Sequence, residues 1–359
     1  MTNYAVKDVE RLVSHIFRAS GSEAAEADVI AGQLVDANLV GHHSHGVLRV
    51  ASYINQLQAG RVFPNRHARI VANFGATAIL DGDTGYGQVI GLEAVDLGIK
   101  ASGEFGVALV GTRNCGHLGR IGYWAERAAR AGRASLHFVS AASPGGAQVA
   151  AAGGRDRRMA ANPMAFGMPV DGHAPVILDF ATSEVAVGKV RIARNKGVKL
   201  PSPAIVDSDG NLTDDPNALF SDTPGAVLPF GGHKGYALNI FNDLLGGALT
   251  GAGIHHEGTP SSVQSGNNMM SIFIDPGRLV DHAAMTGEIV DYMSWLTGSV
   301  PIAEGTPVRI PGAGVDSKRE QARRDGIAID DATWEQVLGA GERVGLQRAD
   351  MLAQIGDGQ

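Results

Sequence analysis

A chain of 359 residues with 44% hydrophobic and 19% charged residues can bury a sizeable core and divide it between two domains. Its formal net charge of -7 offers no general basic field for nucleic acid or acidic membranes, and its single cysteine, Cys115, excludes an internal disulfide. No apolar run approaches bilayer length, and the opening MTNYAVKDVERLV carries charges where a signal peptide needs an unbroken apolar stretch, so a cytoplasmic protein working on a small molecule is expected.

In chain order, VKDVERLVSHIF and SEAAEADVIAGQLVDANLVG space their apolar residues three and four apart and stop at Gly21 and Gly41, predicting two helices with Ser22 capping the second. A third helix presents Val47, Val50, Ile54 and Leu57 on one face and ends at Gly60. GHHSHG, residues 41 to 46, occupies the turn into it. From about residue 76, β-rich runs (TAILDGD, GVALVGTR, ASLHFVSA, APVILDFATS) alternate with helical ones (GLEAVDLGIKASG, IGYWAERAARAG). Beyond about residue 280 the tail returns to helices in MTGEIVDYMSWL, VDSKREQARRDG and DATWEQVLGAGERVG. The expected organisation is a helical part over 1–75, an α/β domain over 76–280, and a helical part over 281–359 that packs with the first.

Three histidines in GHHSHG raise the question of metal. His42 and His43 are adjacent and would diverge, His42 and His45 share a face only if the turn is already helical, and there is neither an HExxH motif nor a second cysteine. No metal site is expected. SHGVLR offers more: Ser44 can cap the helix while His45 and Arg49 stand four apart, a proton-transferring imidazole beside a guanidinium fork suited to a carboxylate. Spacing alone fits a capped helix start with a surface arginine equally well.

Other candidates lie where α/β proteins place sites, at strand ends. NCGHLGRIGYWAE puts His117 in a glycine-bearing loop before a helix, where it would meet substrate or phosphate, or simply fill a polar turn. In APVILDFATS, Asp179 ends an apolar strand and needs a partner, such as an imidazole whose tautomer it would fix and whose pKa it would raise, or else the backbone of its own turn; Thr182 or Ser183 is the expected cap of the next helix. PFGGHKGYAL sets His233 and Lys234 in the first turn of a long apolar helix, an anion cradle or a solvated lysine. Arg155, Arg157 and Arg158 could meet a 2′-phosphate or form a solvated loop. GYGQVIG resembles a dinucleotide-binding glycine loop, but its spacing is GxGxxxG and the acid that follows, Glu104, precedes the next strand instead of ending it, so no Rossmann fold is inferred.

Taken in order, SHGVLR, GHLGRIGYWAE, ANPMAFGMP, LDFATS and GGHKGYAL with LLGGAL resemble the malate/L-lactate dehydrogenase-like oxidoreductases over nearly the whole chain. That resemblance implies a non-Rossmann α/β fold: a central mixed sheet that binds a nicotinamide cofactor, plus a helical domain made of both chain ends. It implies a homodimer whose partner helps close the site. It assigns His45 as the catalytic histidine, Arg49 to the substrate carboxylate with Ser44 beside it, Asp179 as the acid partnering the histidine, and His117 to proton transfer. Gly119, Arg120 and Ile121, the strand end Ile177, Leu178, Asp179, Phe180 and Ala181, then His233 and Lys234, Asn267 and Gly312 match cofactor-contacting positions. His43 stands where relatives with GxDSHG carry Asp, and PGAG at 311–314 lacks the Glu of the family's PGE. The resulting expectation is an NAD-dependent enzyme, with NADP possible, that interconverts a 2-hydroxy and a 2-oxo acid. Reduction of a cyclic imino acid is the alternative within the family, and a His-dependent metal hydrolase the alternative outside it.

Overall fold

Val9, Leu12, Val13, Ile16 and Phe17 form one stripe of the helix Val6–Ala19, and all five are fully buried. The structure, a computed structural model, describes residues 2–142, 146–254, 256, 259 and 266–355. The stripe meets Ile30 and Leu34 of the helix Ala24–Leu39, Val50 and Ile54 of Arg49–Gln58, and Trp334, Val337 and Leu338 of Asp331–Arg343 in one core. Strand Thr2–Tyr4 pairs antiparallel with Ile327–Ile329, and the Tyr4 ring stacks on Trp334 at 4.0 Å, which ties the two chain ends together. Helix Ala24–Leu39 starts one residue later than expected: Glu23 is its N-cap and the Ser22 hydroxyl is buried. The helix His282–Thr297, grouped by sequence with the terminal helices, contributes no buried residue.

A seven-stranded sheet carries the second core. In spatial order its strands are Arg69–Asn73, Thr77–Asp81, Val107–Cys115, Gly266–Ile274, Ala134–Ala142, Pro163–Met168 and Val176–Ala181. Only Thr77–Asp81 and Val107–Cys115 run parallel; every other neighbouring pair is antiparallel. The helix Gly87–Phe105 makes the crossover that the parallel pair requires. It buries Ile90 and Val95 with Trp124 of Ile121–Arg130 and Phe273 of the sheet. This is a mixed sheet, not the parallel doubly wound sheet of a Rossmann fold. A five-stranded sheet of short strands packs with the helix Val187–Lys196 through Val190, Ile205, Leu219 and Val227.

Charge joins the parts. Arg319, on the helix Val315–Asp325, donates Nε to Asp36 Oδ1 at 2.7 Å and Nη2 to Glu126 Oε2 at 2.6 Å. Arg120 donates Nη2 to the same two acids, at 3.2 and 3.0 Å. Burial raises the Glu126 carboxyl, yet the hydrogen bonds and charge of Arg319, with those of Arg130 and Arg120, bring it down to about 2. Buried ions persist because each is paired with another.

Candidate active site

His43–His45 forms a single 3-10 turn, and the following helix begins at Arg49 with Leu48 as its N-cap. Asn38, from the preceding helix, shapes this turn: its Oδ1 accepts the Val47 amide at 2.8 Å and its Nδ2 donates to His43 Nδ1 at 3.1 Å. Ser44 lies too early to cap the helix, contrary to the sequence expectation. Instead its Oγ is 3.1 Å from His45 Nδ1, and its carbonyl accepts Arg49 Nε at 2.7 Å. His45 and Arg49 thus do not share one helical face; Arg49 reaches His45 by folding back onto the Ser44 carbonyl.

His117 arrives from the sheet. It follows the strand Val107–Cys115, and its ring stacks on His45 with centroids 5.5 Å apart and planes 16° from parallel. Backbone contacts fix the loop that carries it: Gly116 N–H donates to Gly85 O at 2.8 Å, and Leu118 N–H to Asn267 Oδ1 at 2.9 Å. Gly87 abuts this loop so closely that a Cβ there would stand 2.4 Å from the His117 carbonyl oxygen. In GYGQVIG, Gly87 thus serves close packing against the histidine loop, Gly85 abuts Arg66 while its carbonyl holds Gly116, and Gly91 makes room for the Trp124 ring. Asn267, assigned by resemblance to the cofactor, spends its carbonyl on the same loop.

Tyr53 and Gln88 were not singled out in sequence. Tyr53 Oη is 2.7 Å from His117 Nδ1, and Gln88 Nε2 donates to that oxygen at 2.8 Å. Both are buried, at 2% and 1% exposure. Their signal was available: Tyr53 lies one turn beyond Arg49, and Gln88 is a polar residue in the first turn of a helix whose buried side, up to Ser102, is otherwise apolar.

The electrostatics keep both imidazoles neutral. Burial, then the positive charge of Arg49, His42 and Arg120, brings His45 down to about 3. Burial, with Arg49 and His45 beside it, holds His117 well below the usual histidine range. Asp179 is raised by burial, and the charges that offset this are those of His42 and Arg120, together with a hydrogen bond from the Gly122 amide. Asp179 is coupled electrostatically to His42, while the charges that act on His45 are those of Arg49, His42 and Arg120, so its pKa falls where the sequence led to a rise. The Gly122 amide, in the first turn of the helix Ile121–Arg130, bonds this carboxylate, and a Cβ on Gly122 would be only 2.6 Å from Asp179 Oδ2.

The segments matched to a cofactor lie around this centre. Gly119 adopts φ +71° and donates its N–H to His117 Nδ1 at 3.3 Å, Ile121 is buried, and Arg120 is committed to its ion pairs. Ile177 N–H donates to Pro311 O at 3.2 Å, which brings Gly312 against the strand carrying Leu178, Asp179, Phe180 and Ala181. The Phe180 ring packs edge-on against Phe230 at 5.3 Å, and Phe230 N–H donates to Thr182 O at 3.1 Å. The strand end is thereby joined to the helix His233–Asn242, whose first residues, His233 and Lys234, are exposed. Neither Thr182 nor Ser183 caps the helix Val187–Lys196, whose N-cap is Ala186. Gly188 of that helix faces Ser44, with a Cβ there 3.5 Å from Ser44 Cβ. Arg157 is spent on the carbonyls of Gly225 and Leu219, at 2.7 and 2.5 Å, and Arg158 pairs with Asp156 at 3.1 Å. No group of three or more His, Cys, Asp or Glu among the described residues is placed to hold a metal ion, and no helix among them is long and apolar enough to cross a membrane.

A family model described as malate/L-lactate dehydrogenase matches residues 4–338. Hydroxycarboxylate dehydrogenase B of Escherichia coli is 36% identical over 98% of this chain and 96% of that one. The Delta(1)-pyrroline-2-carboxylate/Delta(1)-piperideine-2-carboxylate reductase of Pseudomonas putida is 31% identical over 94% of this chain and 96% of its own. The solved sulfolactate dehydrogenase of Methanocaldococcus jannaschii superposes with a TM-score of 0.86 at 29% identity, over 97% of this chain and 99% of that one.

Proposed function

The chain belongs to the malate/L-lactate dehydrogenase family, an oxidoreductase family of hydroxy and oxo acids, and from that premise we propose that it interconverts a 2-hydroxy acid and a 2-oxo acid with a nicotinamide cofactor. The observation that carries the reading is the apposition of Arg49, His45 and His117: one guanidinium held by its Nε and two neutral imidazoles stacked beside it. With Nε committed to the Ser44 carbonyl, the two terminal nitrogens of Arg49 are the part of the fork that grips a carboxylate, fixing the orientation of the carbon to be reduced or oxidised. His45 exchanges the proton with the substrate oxygen. Its neutral state in the free chain suits it to take the hydroxyl proton, and a carboxylate neutralising Arg49 readies it to give one back.

The residues around the centre fit a nicotinamide cofactor. His233 and Lys234 stand exposed on the first turn of a helix, an anion-binding arrangement for a pyrophosphate, and Gly122, next to the segment 119–121, and Gly312 pack against Asp179 and Ile177 of one strand. When bound, that group supplies or accepts the hydride. The engagement of Arg157 with backbone carbonyls and of Arg158 with Asp156 favours NAD over NADP. Exposed Tyr292 and Trp295 on His282–Thr297, at 58% and 73%, support a homodimer in which a second copy covers that helix. A cytoplasmic location completes the reading.

Consumption of NADH and NADPH, followed in parallel across a panel of 2-oxo acids and cyclic imino acids, with and without chelator, tests this. Turnover of oxo acids, insensitive to chelator and faster with NADH, is expected. Turnover confined to imino acids would move the protein to that branch of the family, and chelator-sensitive hydrolysis without cofactor would refute the reading.

A further inference from the structure

His117 sits at the end of a directed hydrogen-bond chain, and a backbone amide sets the direction. The Gly119 N–H can only donate, and it donates to His117 Nδ1 at 3.3 Å, so Nδ1 presents its lone pair. The Tyr53 hydroxyl, 2.7 Å from the same nitrogen, must then donate as well, and its oxygen in turn accepts Gln88 Nε2 at 2.8 Å. The backbone carbonyl of Gln88 accepts Gln33 Nε2 at 3.2 Å, which ties down the residue that carries this amide. The acceptor role of Nδ1 is set by the Gly119 amide, so it does not depend on which way the Gln88 side-chain amide is placed. Tyr53 and Gln88 are almost fully buried, which keeps both bonds away from bulk water.

We propose that Tyr53 and Gln88 are positioning residues that lock His117 in its neutral Nε2–H form, a fixed hydrogen-bond donor to the substrate's carbonyl oxygen, while the proton of the reaction moves through His45. The donor role rests on the oxidoreductase reading above; the tautomer lock does not. Protonating Nδ1 would set a new N–H against the Gly119 amide and force the Tyr53 hydroxyl to turn toward Gln88 Nε2, itself a donor. The groups facing His117 act the same way: Arg49 and His45 disfavour a positive charge on it, and burial pushes the Tyr53 phenol up to about 12, so it remains a donor at any working pH. The two stacked imidazoles thus have separate duties, one rigid and one free to titrate.

The test is two-bond proton–nitrogen NMR on the ligand-free chain labelled at histidine, with the His117 signal identified by its loss in His117→Gln. Wild type is expected to show the Nε2–H pattern without titration between about pH 5 and 8. Tyr53→Phe keeps the ring and removes the shorter of the two bonds to Nδ1, leaving the 3.3 Å bond from the Gly119 amide, so its His117 should gain an Nδ1–H population and begin to titrate, and Gln88→Met should move it part of the way. With substrate and cofactor, Tyr53→Phe should lower kcat roughly tenfold, leave KM within about twofold, and add a limb to the kcat–pH profile. A wild-type His117 protonated at Nδ1, or a Tyr53→Phe protein with unchanged tautomer and unchanged kcat–pH profile, would overturn the lock. If no oxo acid is turned over, the functional reading fails on its own, and the NMR still decides the lock.

Discussion

The loop carrying His117 and the turn carrying His45 present the same side chain to the same space, yet they hold it by opposite means. The loop is pinned from three directions: Asn267 on Leu118, the Gly85 carbonyl on Gly116, and the Tyr53–Gln88 pair on the ring. The turn is a 3-10 segment near the surface, fixed by Asn38, and its imidazole has a neighbouring hydroxyl as its hydrogen-bond partner among the described residues and a ring of positive charge. Hydrogen bonds specify a tautomer; charges specify a pKa that a ligand can change. One site thereby contains a fixed donor and an adjustable one.

The comparison breaks most completely at the adjustable histidine. His45→Ala should lower kcat/KM by on the order of a hundredfold to ten-thousandfold, measured at saturating cofactor. Arg49→Lys should cost roughly ten- to a hundredfold, because an ammonium reproduces neither the Nε bond to the Ser44 carbonyl nor the fork on a carboxylate. Unchanged kinetics would place Arg49 outside the site.

Ligand-linked protonation sharpens the contrast. In the free chain burial, with Arg49, His42 and Arg120 beside it, pushes His45 down to about 3. An anion on Arg49 removes part of that repulsion and raises the pKa, so the liganded state binds more protons than the free one. Affinity for an unreactive 2-oxo acid analogue should therefore rise as pH falls, approaching tenfold per pH unit where the bound His45 is charged and the free one is not. Titrations at several pH values check this, and a flat affinity would show that Arg49 and His45 are not coupled.

On the rigid side, Gly87→Ala drives a Cβ to 2.4 Å from the His117 carbonyl oxygen and 2.5 Å from that of Gly116. The fold should lose about 1 to 3 kcal/mol, seen in denaturant melts, and activity should fall with it. The smallest effect belongs to Asp179→Asn. Because Asp179 acts on His42, the substitution should lower the His42 pKa and leave the His45-dependent limb within about half a pH unit of wild type. A large shift of that limb would restore the pairing expected from sequence.

The periodicity of VKDVERLVSHIF and the alternation that begins near residue 76 made the helical ends and the central α/β region legible, since both patterns report which face meets a core. Ordered motifs from SHGVLR to HKGYAL carried the family, and with it Arg49, His45 and His117 as candidates. Sequence spacing could not show that Arg49 reaches His45 by folding back over a 3-10 turn, because spacing is read on an ideal helix and Gly46, Val47 and Leu48 interrupt it. Nor could it show that Asp179 is coupled electrostatically to His42, or that Tyr53, Gln88 and Asn267 hold the His117 loop, for those interactions join residues 35 to 149 positions apart. Local patterns fix local structure and burial. The tautomer and charge of an imidazole depend on which distant donors and cations close around it, and only the packed chain decides that.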